Sequence, residues 1–438
     1  MKNLKICLIS LGCEKNLVDS EIILGMFKKY NYIITPNKNN ADVIIVNTCG
    51  FIEDAKKEAI DTILDCLDYQ KKGTKVVVVG CLVQRYYDDL VKEIPEVDLY
   101  VRIKDYLHLG EKIEDLLGDK VLNKGMCFNP LDRFISTPKH MAYVRISEGC
   151  NNRCTYCAIP LIRGGFVSRK KEDILTEVKQ LVDEGRKEIC LISQDVTNYG
   201  YDLDGERLAS LLRDIVAIDG DFSIRLLYLY PDEITDELIY TIKESPKIMP
   251  YFDIPMQSAS NKILKAMHRR GSREYVLSLM EKIRTIIPDA IFRTTMIVGF
   301  PGETDDDFSD TLSFVKEAKF NHLGAFKYSP EDDTIACMMD GQISDGIKNT
   351  RYNKLMEEQK WISYEANRRL IDRKFSVIIE GYSEQNNAYF GRSYFLAPDD
   401  IDGEIYISSD KELEISKEFI VKIVDASFYD LFGEVIDV

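Results

Sequence analysis

Histidine is nearly missing from this sequence. Four residues in 438, His108, His140, His268 and His322, are widely separated, and none sits beside a cysteine motif. Each reads as an ordinary surface or core residue, and nothing favours a Ser–His or Cys–His hydrolase. Long apolar runs are lacking as well: Val76–Val83, the longest notable one, is too short to span a bilayer. The opening MKNLKICLISLGCEKN has only a short apolar run before Cys, Glu and Lys, so a secretory leader is not expected and the chain is expected in the cytoplasm. Positive charge is in deficit. The 57 Lys and Arg face 73 Asp and Glu, a net of −16, which argues against a bulk electrostatic grip on nucleic acid. There is no internal repeat and no low-complexity segment.

Cysteine, by contrast, is plentiful at eleven residues. In a chain expected in a reducing compartment this points to metal or redox use rather than cross-links. Cys150, Cys154 and Cys157 stand in EGCNNRCTYCAIP with the spacing C-x3-C-x2-C. The spacing holds three thiolates on one tight loop and supplies no fourth. An iron–sulfur cube bound there would keep one iron free of protein ligands, and an open iron is a place for chemistry. Zinc sites show paired C-x2-C units or a Cys/His mixture, and neither continues from here. The alternative is three loop cysteines with no ligand role.

With 438 residues, two to four domains are expected, and the pattern divides them at 1–135, 136–372 and 373–438. In the first, KICLIS (Lys5–Ser10), DVIIV (Asp42–Val46) and KVVVV (Lys75–Val79) read as buried strands, with helices at Asn16–Tyr30 and Glu53–Gln70 between them. Fully apolar strands alternating with helices predict a parallel sheet covered on both faces. Cys13, Cys49 and Cys81 each follow one of these strands and each neighbours a glycine, Gly12, Gly50 or Gly80. Open α/β sheets bind ligands at the carboxyl ends of their strands. Taken singly each cysteine would be a small core residue; together they predict a second, non-local cluster site. Cys7, Cys66, Cys190 and Cys337 read as core, and Cys127 stays undecided.

The second region repeats strand and helix: Tyr143–Ser147, Glu188–Ser193, Ser223–Tyr228, Tyr251–Pro255, Ile291–Gly299 and His322–Tyr328, with helices such as Glu172–Gly185 and Asp305–Lys319. Six such units predict an open, partial barrel whose function sits at the carboxyl ends of its strands. The three-cysteine loop follows the first of them. Gln194 and Asp195 end the second strand and are candidates to contact cofactor or substrate, or simply form a polar turn. Gly299, in VGFPGE, either lets a ligand approach or shapes a turn. Arg293 inside the fifth strand is expected to face the cavity or a carboxylate. Arg269–Gly271 reads as a solvated face. A charged helix, Asp345–Arg369, leads to Phe375–Val438, where short strands and Gly/Asp turns predict a five-stranded barrel.

C-x3-C-x2-C resembles the signature of radical S-adenosylmethionine enzymes. The whole chain resembles their methylthiotransferase branch: SLGCEKNLVDSE, NTCGFIEDAKKEAI, GCLVQRY, EGCNNRCTYCAIPLIRG, QDVTNYG, VGFPGE and YSPEDDT look like its motifs. The resemblance implies a radical barrel and a C-terminal TRAM module, with S-adenosylmethionine and two 4Fe–4S clusters as cofactors. Cys150, Cys154 and Cys157 would hold the radical-generating cluster, and Cys13, Cys49 and Cys81 an auxiliary one. It further implies that an adenosyl radical takes a hydrogen from an unactivated carbon, which then receives a methylthio group. Low-potential electron and sulfur donors would be needed.

Members of the branch modify a tRNA adenosine or a ribosomal protein. Phe375–Val438 carries 14 acidic and four basic residues, a net of −10. Such a module repels phosphate and attracts a basic protein. SLGCEKNLVDSE and GRSYFLAPDDIDG also look like the subgroup that modifies an aspartate β-carbon in small-subunit ribosomal protein S-twelve, so strong tRNA binding is not expected. Two departures from that subgroup's pattern stand out: Leu396 with the extra acid of Asp399-Asp400, and Ser258 where members tend to have His. The rival expectations are a tRNA adenosine methylthiotransferase and a non-catalytic iron–sulfur protein acting as electron carrier or scaffold.

Overall fold

The structure is a computed structural model that describes residues 4–118 and 125–437. Its N-terminal part is a parallel sheet of β1 (Lys5–Ser10), β2 (Ile33–Ile34), β3 (Val43–Thr48), β4 (Lys75–Gly80) and β5 (Leu99–Val101), in the order β2-β1-β3-β4-β5. The two short edge strands went unread in the sequence: two or three residues carry too little pattern. Alternate side chains of the central strands enter two separate cores. Ile6, Val43, Ile45, Val77 and Val79 pack with Ile22, Met26 and Phe27, whereas Ile44, Val46, Val76 and Val78 pack with Ala59, Ile63 and Leu90. The sheet is thus covered on both faces, as the unbroken apolar strands require. Cys7 and Cys66 are buried in the second core.

The central part is an arc of six parallel strands, β6 (Met141–Arg145), β9 (Glu188–Ile192), β10 (Ser223–Leu226), β11 (Tyr251–Asp253), β12 (Ile291–Val298) and β13 (His322–Lys327). A small antiparallel pair, β7 (Ser147–Glu148) and β8 (Val167–Ser168), brackets the three-cysteine loop. β6, β9 and β10 form one ladder and β11, β12 and β13 another. A parallel bridge from Ile224 to Ile248 and a bond from Leu229 N to Asp253 O (2.8 Å) join them. Amphipathic helices, including Lys171–Asp183, Arg273–Ile286 and Asp305–Ala318, bury one stripe each against the outside of this arc.

The helix Asp345–Arg368 crosses to the C-terminal module, where β14 (Lys374–Ser383), β15 (Ala388–Arg392), β16 (Ile405–Ser408), β17 (Glu418–Ala426) and β18 (Leu431–Asp437) close into a barrel ordered β14-β15-β16-β18-β17. Its β15–β16 connection enters the amino-terminal mouth of the strand arc. Phe395, Leu396 and Ala397 are buried there. The Arg225 guanidinium donates to Tyr394 O (3.0 Å), and a His322 ring nitrogen bonds Phe395 O at 2.8 Å. Asp402 accepts from Arg293 Nε (3.2 Å), Ala397 N (2.9 Å) and the Tyr251 hydroxyl. Beside the plug, Glu188 lies between Arg225 (2.6 Å) and Arg392 (2.8 Å), all three side chains buried. Removing one member of such a set leaves a buried charge and costs about 3–5 kcal/mol.

Leu396 and Asp399, both part of the first sequence departure, thus belong to the plug: Leu396 is buried and Asp399 accepts from the Tyr143 hydroxyl. Glu380, Asp399 and Asp402 are acids of the module that bond to the strand arc, Asp399 from an exposed position, while Glu384, Asp400, Asp410, Glu412, Glu414, Glu418, Asp425 and Glu434 are exposed as well.

Candidate active site with two cysteine triads

Register brings the scattered cysteines level. Ser10 pairs with Asn47 and Thr48 with Gly80, so β1, β3 and β4 end on one rim. Cys13 caps the helix Glu14–Lys29, Cys49 follows β3, and Cys81 starts the helix Cys81–Glu93. Gly12 is pressed onto its neighbour: a Cβ there would lie 2.7 Å from Cys49 Cβ and 3.0 Å from Cys49 Sγ, with φ at +88°. Only glycine fits that contact. Burial pushes the Cys81 thiol up to about 12 although the Arg163 guanidinium pulls it down, with Cys13 and Cys49 close enough to add repulsion.

The second triad is local. The loop is closed by bonds from Cys150 N to Gly164 O (3.2 Å) and Cys157 N to Cys154 O (3.0 Å). Gly149 has φ of +73°, and a Cβ on it would fall 2.1 Å from Gly165 O. Thr155 ties the loop to the segment after the helix Asn261–Ala266, through Ala266 O (2.9 Å) and Met267 O (3.0 Å). Burial pushes the thiols of Cys150 and Cys157 up to about 11 and about 12.

These donor sets fit iron–sulfur cubes. Buried thiols with raised pKa need added positive charge to become thiolates, and iron supplies it. No three His, Cys, Asp or Glu side chains surround a single ion among the described residues. A cube does not ask for that arrangement, because each cysteine binds a different iron and the sulfurs stand apart.

Each triad has an arginine at one sulfur. Arg163, on the helix Ile159–Arg163 that follows the local triad, crosses to the other: Nη2 donates to Cys81 Sγ (3.4 Å) and Asn16 Oδ1 (3.1 Å), and Nη1 to Asp19 Oδ2 (2.6 Å). Arg269 lies over the Tyr230 ring (4.0 Å) with Nη1 3.9 Å from Cys154 Sγ, and the Tyr230 hydroxyl is 3.5 Å from the same sulfur. Neither arginine stood out in the sequence. Arg163 sits in the quoted PLIRG without a periodic signal, and Arg269 was read as part of a solvated face. The structure corrects the second reading: Arg269 turns inward to the sulfur and the Pro255 carbonyl, and its neighbour Arg270 is the exposed one, paired with Asp232 and Glu233 (both 2.9 Å).

The other sequence candidates fall as follows. Asp195 is fully buried and accepts from Asn152 (2.7 Å), Thr197 (2.6 Å) and Asn198 (2.5 Å), so it anchors the local loop through Asn152. Gln194 donates to Glu148 (3.2 Å). Arg293 meets Asp253 and Asp402, both at 3.2 Å, inside the strand arc. The backbone N–H of Gly299 donates to Glu303 (3.1 Å), and its Cα face packs on Lys348 of the linking helix. Ser258 is buried and accepts from Ser260 N (3.3 Å). Cys190 is buried, Cys337 is half-buried in a 3-10 turn rather than in a core, and Cys127 is exposed. A surface cavity of about 380 Å³ borders the local loop, lined by Asn151, Asn152, Tyr201, His268 and Arg270 among others.

Two of the contacts that clamp the sheet to the strand arc lie beside the scattered triad. Arg163 with Asp19 is one. At the other, Glu331 after β13 meets Arg85 (2.9 Å) and Lys56 (3.2 Å), and Arg85 also donates to Gly50 O (3.0 Å) beside Cys49. The loop after β10 reaches both triads: Tyr230 touches Cys154, while Tyr228 lies against Lys15, two residues from Cys13.

Family comparisons agree with this architecture. The radical SAM superfamily matches residues 144–315, the uncharacterized protein family UPF0004 residues 5–102, and the TRAM domain residues 371–436. A ribosomal protein uS12 methylthiotransferase RimO from Caldicellulosiruptor saccharolyticus is 47% identical over 99% of this chain and 100% of that protein. The protein of the same name from Geobacter sulfurreducens is 47% identical over 99% and 98%. Among solved structures, the radical S-adenosylmethionine methyltransferase TsrM from Kitasatospora setae, with cobalamin and a 4Fe-4S cluster bound, aligns with a TM-score of 0.56 at 13% identity, covering 76% of this chain and 77% of that one. At such identity the likeness concerns the fold alone. Full-length identity to the curated relatives decides the family: the chain belongs to the RimO methylthiotransferases of the radical SAM superfamily.

Proposed function

We propose that this enzyme inserts a methylthio group at the β-carbon of an aspartate in small-subunit ribosomal protein S-twelve. The observation that carries the substrate is the near-half identity, over the full length, to relatives named for uS12 methylthiotransfer. The exposed acids of the C-terminal module supply a physical reason, since ribosomal proteins are basic.

Cys150, Cys154 and Cys157 hold the radical-generating 4Fe–4S cluster, and Cys13, Cys49 and Cys81 the auxiliary one. When bound, these clusters and S-adenosylmethionine supply a 5′-deoxyadenosyl radical on one side and a methylated sulfur on the other. The protein's own work is positional. Asn152 and Asp195 fix the local loop, Thr155 ties it to the arc, and Arg163 holds Cys81 in register with it. Arg163 and Arg269 each place a positive charge at a ligand sulfur, which favours the electron-rich state of the adjacent cluster. Gln194, Asp195, Arg293 and Gly299 frame the cofactor and substrate space, Asp195 and Arg293 through their hydrogen bonds rather than as free ligands. Domains 1–135, 136–372 and 373–438 divide the labour into sulfur supply, radical generation and substrate docking. A low-potential electron donor and a sulfur donor complete the reaction in the cytoplasm. No helix among the described residues is long and apolar enough to cross a membrane.

Anaerobic turnover tests this reading. Reconstituted enzyme receives S-adenosylmethionine, reductant and sulfide, with the basic ribosomal-protein loop peptide and tRNA in one pot. The methylthio mass is expected on the aspartate; on a tRNA adenosine it would keep the chemistry and overturn the substrate.

A further inference from the structure

Lys15 follows Cys13 by two residues, in the first turn of the helix that Cys13 caps, and it is buried to 8% exposure. A lysine is seldom buried without a reason. Its ammonium donates to Glu14 (2.6 Å) and sits 3.2 Å above the Tyr228 ring. Tyr228 holds that place with φ at +66°, an uncommon conformation for a bulky residue. It belongs to the same loop as Tyr230, which touches Cys154. The ammonium therefore packs, two residues from Cys13, on the same loop that reaches Cys154 in the other triad.

The groups facing this space are mostly acidic or already paired. The Glu14 carboxylate is nearly buried and accepts from the Lys15 ammonium (2.6 Å). Asp253 accepts from Tyr228 N and Arg293, Asp195 carries three partners, and Asp19 joins Arg145 and Arg163. An incoming carboxylate meets repulsion unless a cation receives it. Four buried or half-buried guanidiniums are engaged: Arg293 by Asp253 and Asp402, Arg145 by Asp19 and Glu148, Arg163 by Asp19, Asn16 and Cys81, Arg269 by Pro255 and Cys154, while Arg153 of the local loop is exposed. An ammonium has three donors, and among the described residues Lys15 has one hydrogen-bond acceptor.

We propose that the Lys15 ammonium receives the side-chain carboxylate of the target aspartate and thereby sets the enzyme's preference for an acidic residue. The proposal rests on the functional reading above. Glu14 is the resting counter-ion and Tyr228 the face that holds the ammonium in place. Lys15 would orient the aspartate so that its β-carbon, one bond from the bound carboxylate, lies between the two clusters. A neutral base or an asparagine would offer the cation only an uncharged acceptor.

The test compares loop peptides carrying Asp or Asn at the target position, with Kd read by fluorescence anisotropy and turnover by mass spectrometry on the same reconstituted preparations. Wild type should bind Asp over Asn. K15M should weaken the Asp peptide by about 100-fold and leave the Asn peptide within a few-fold, erasing the preference. K15R keeps the charge and should keep the preference. Glu14→Gln removes the competing carboxylate and should tighten the Asp peptide several-fold. An unchanged Asp/Asn ratio in K15M would overturn the proposal. Where K15M takes up too little iron, a lost preference in K15R or no tightening in E14Q would do so. A wild-type enzyme that leaves the Asp peptide unmodified would instead overturn the proposed function, and this inference with it.

Discussion

The two triads reach similar donor sets by opposite routes. Cys150, Cys154 and Cys157 lie within eight residues on a loop closed by its own backbone, whereas Cys13, Cys49 and Cys81 are spread over 69 residues and meet because three parallel strands end level. The first depends on local geometry and the second on the whole sheet being folded. The compact triad should therefore respond to changes in its loop, and the scattered one to the stability of the N-terminal cores.

The sharpest way to break this comparison is to remove one ligand from each side. Cys154→Ala should abolish S-adenosylmethionine cleavage and lower bound iron from about eight to about four per chain, while Cys49→Ala should keep cleavage and stop methylthiolation. Iron assay and chromatographic detection of 5′-deoxyadenosine separate the two, and normal product from Cys49→Ala would sink the assignment. Gly149→Ala comes next: its methyl group would collide with Gly165 O, at a φ that already strains other residues. A local loss of iron is expected with little change in unfolding temperature, since the three-cysteine loop carries little of the core. If melting instead dropped sharply, the loop would be part of the folding unit.

Acid should act elsewhere, at the plug. Burial opposes ionisation of Glu188, but Arg392 and Arg225 outweigh it and hold the carboxyl far below its ordinary value. A carboxylate whose pKa is depressed on folding contributes stability that is full above the unfolded value, about 4.5, and lost as pH falls toward the folded one. Unfolding midpoints should fall below about pH 4.5 in the wild type, and Glu188→Gln should flatten that dependence while lowering stability near neutrality. The smallest effect is expected at Cys127, exposed and remote from both rims; Cys127→Ser should leave the iron content intact, and a loss there would add a ligand that neither triad contains.

Much of this could be read from the residues alone. Unbroken apolar runs such as Val76–Val79 allow only a doubly covered strand, and each of the six arc strands begins and ends within a few residues of its expected bounds. The placement of the cysteines, three at strand ends and three on one loop, was accessible because thiol spacing and strand-end glycines are local features. Their arginine neighbours were not. Arg269 differs from Arg270 in no property a sequence displays; only the fold turns one toward Cys154 and the other toward solvent. The plug was hidden for a similar reason, because Phe395–Ala397 lies in a connection whose burial comes from a different part of the chain. Lys15 stood in plain view within GCEKN, but its burial against Tyr228 joins residues 213 positions apart.

The central claim is that one substrate carbon lies between the two triads, giving a hydrogen to one side and taking sulfur from the other. A loop peptide deuterated at the β-carbon of its aspartate tests this directly, with mass spectra recorded on both the peptide and the 5′-deoxyadenosine released. Deuterium in the 5′-deoxyadenosine together with the methylthio group on the same aspartate is the expected result. Unlabelled 5′-deoxyadenosine beside a methylthiolated peptide would place hydrogen abstraction at another atom and contradict the arrangement.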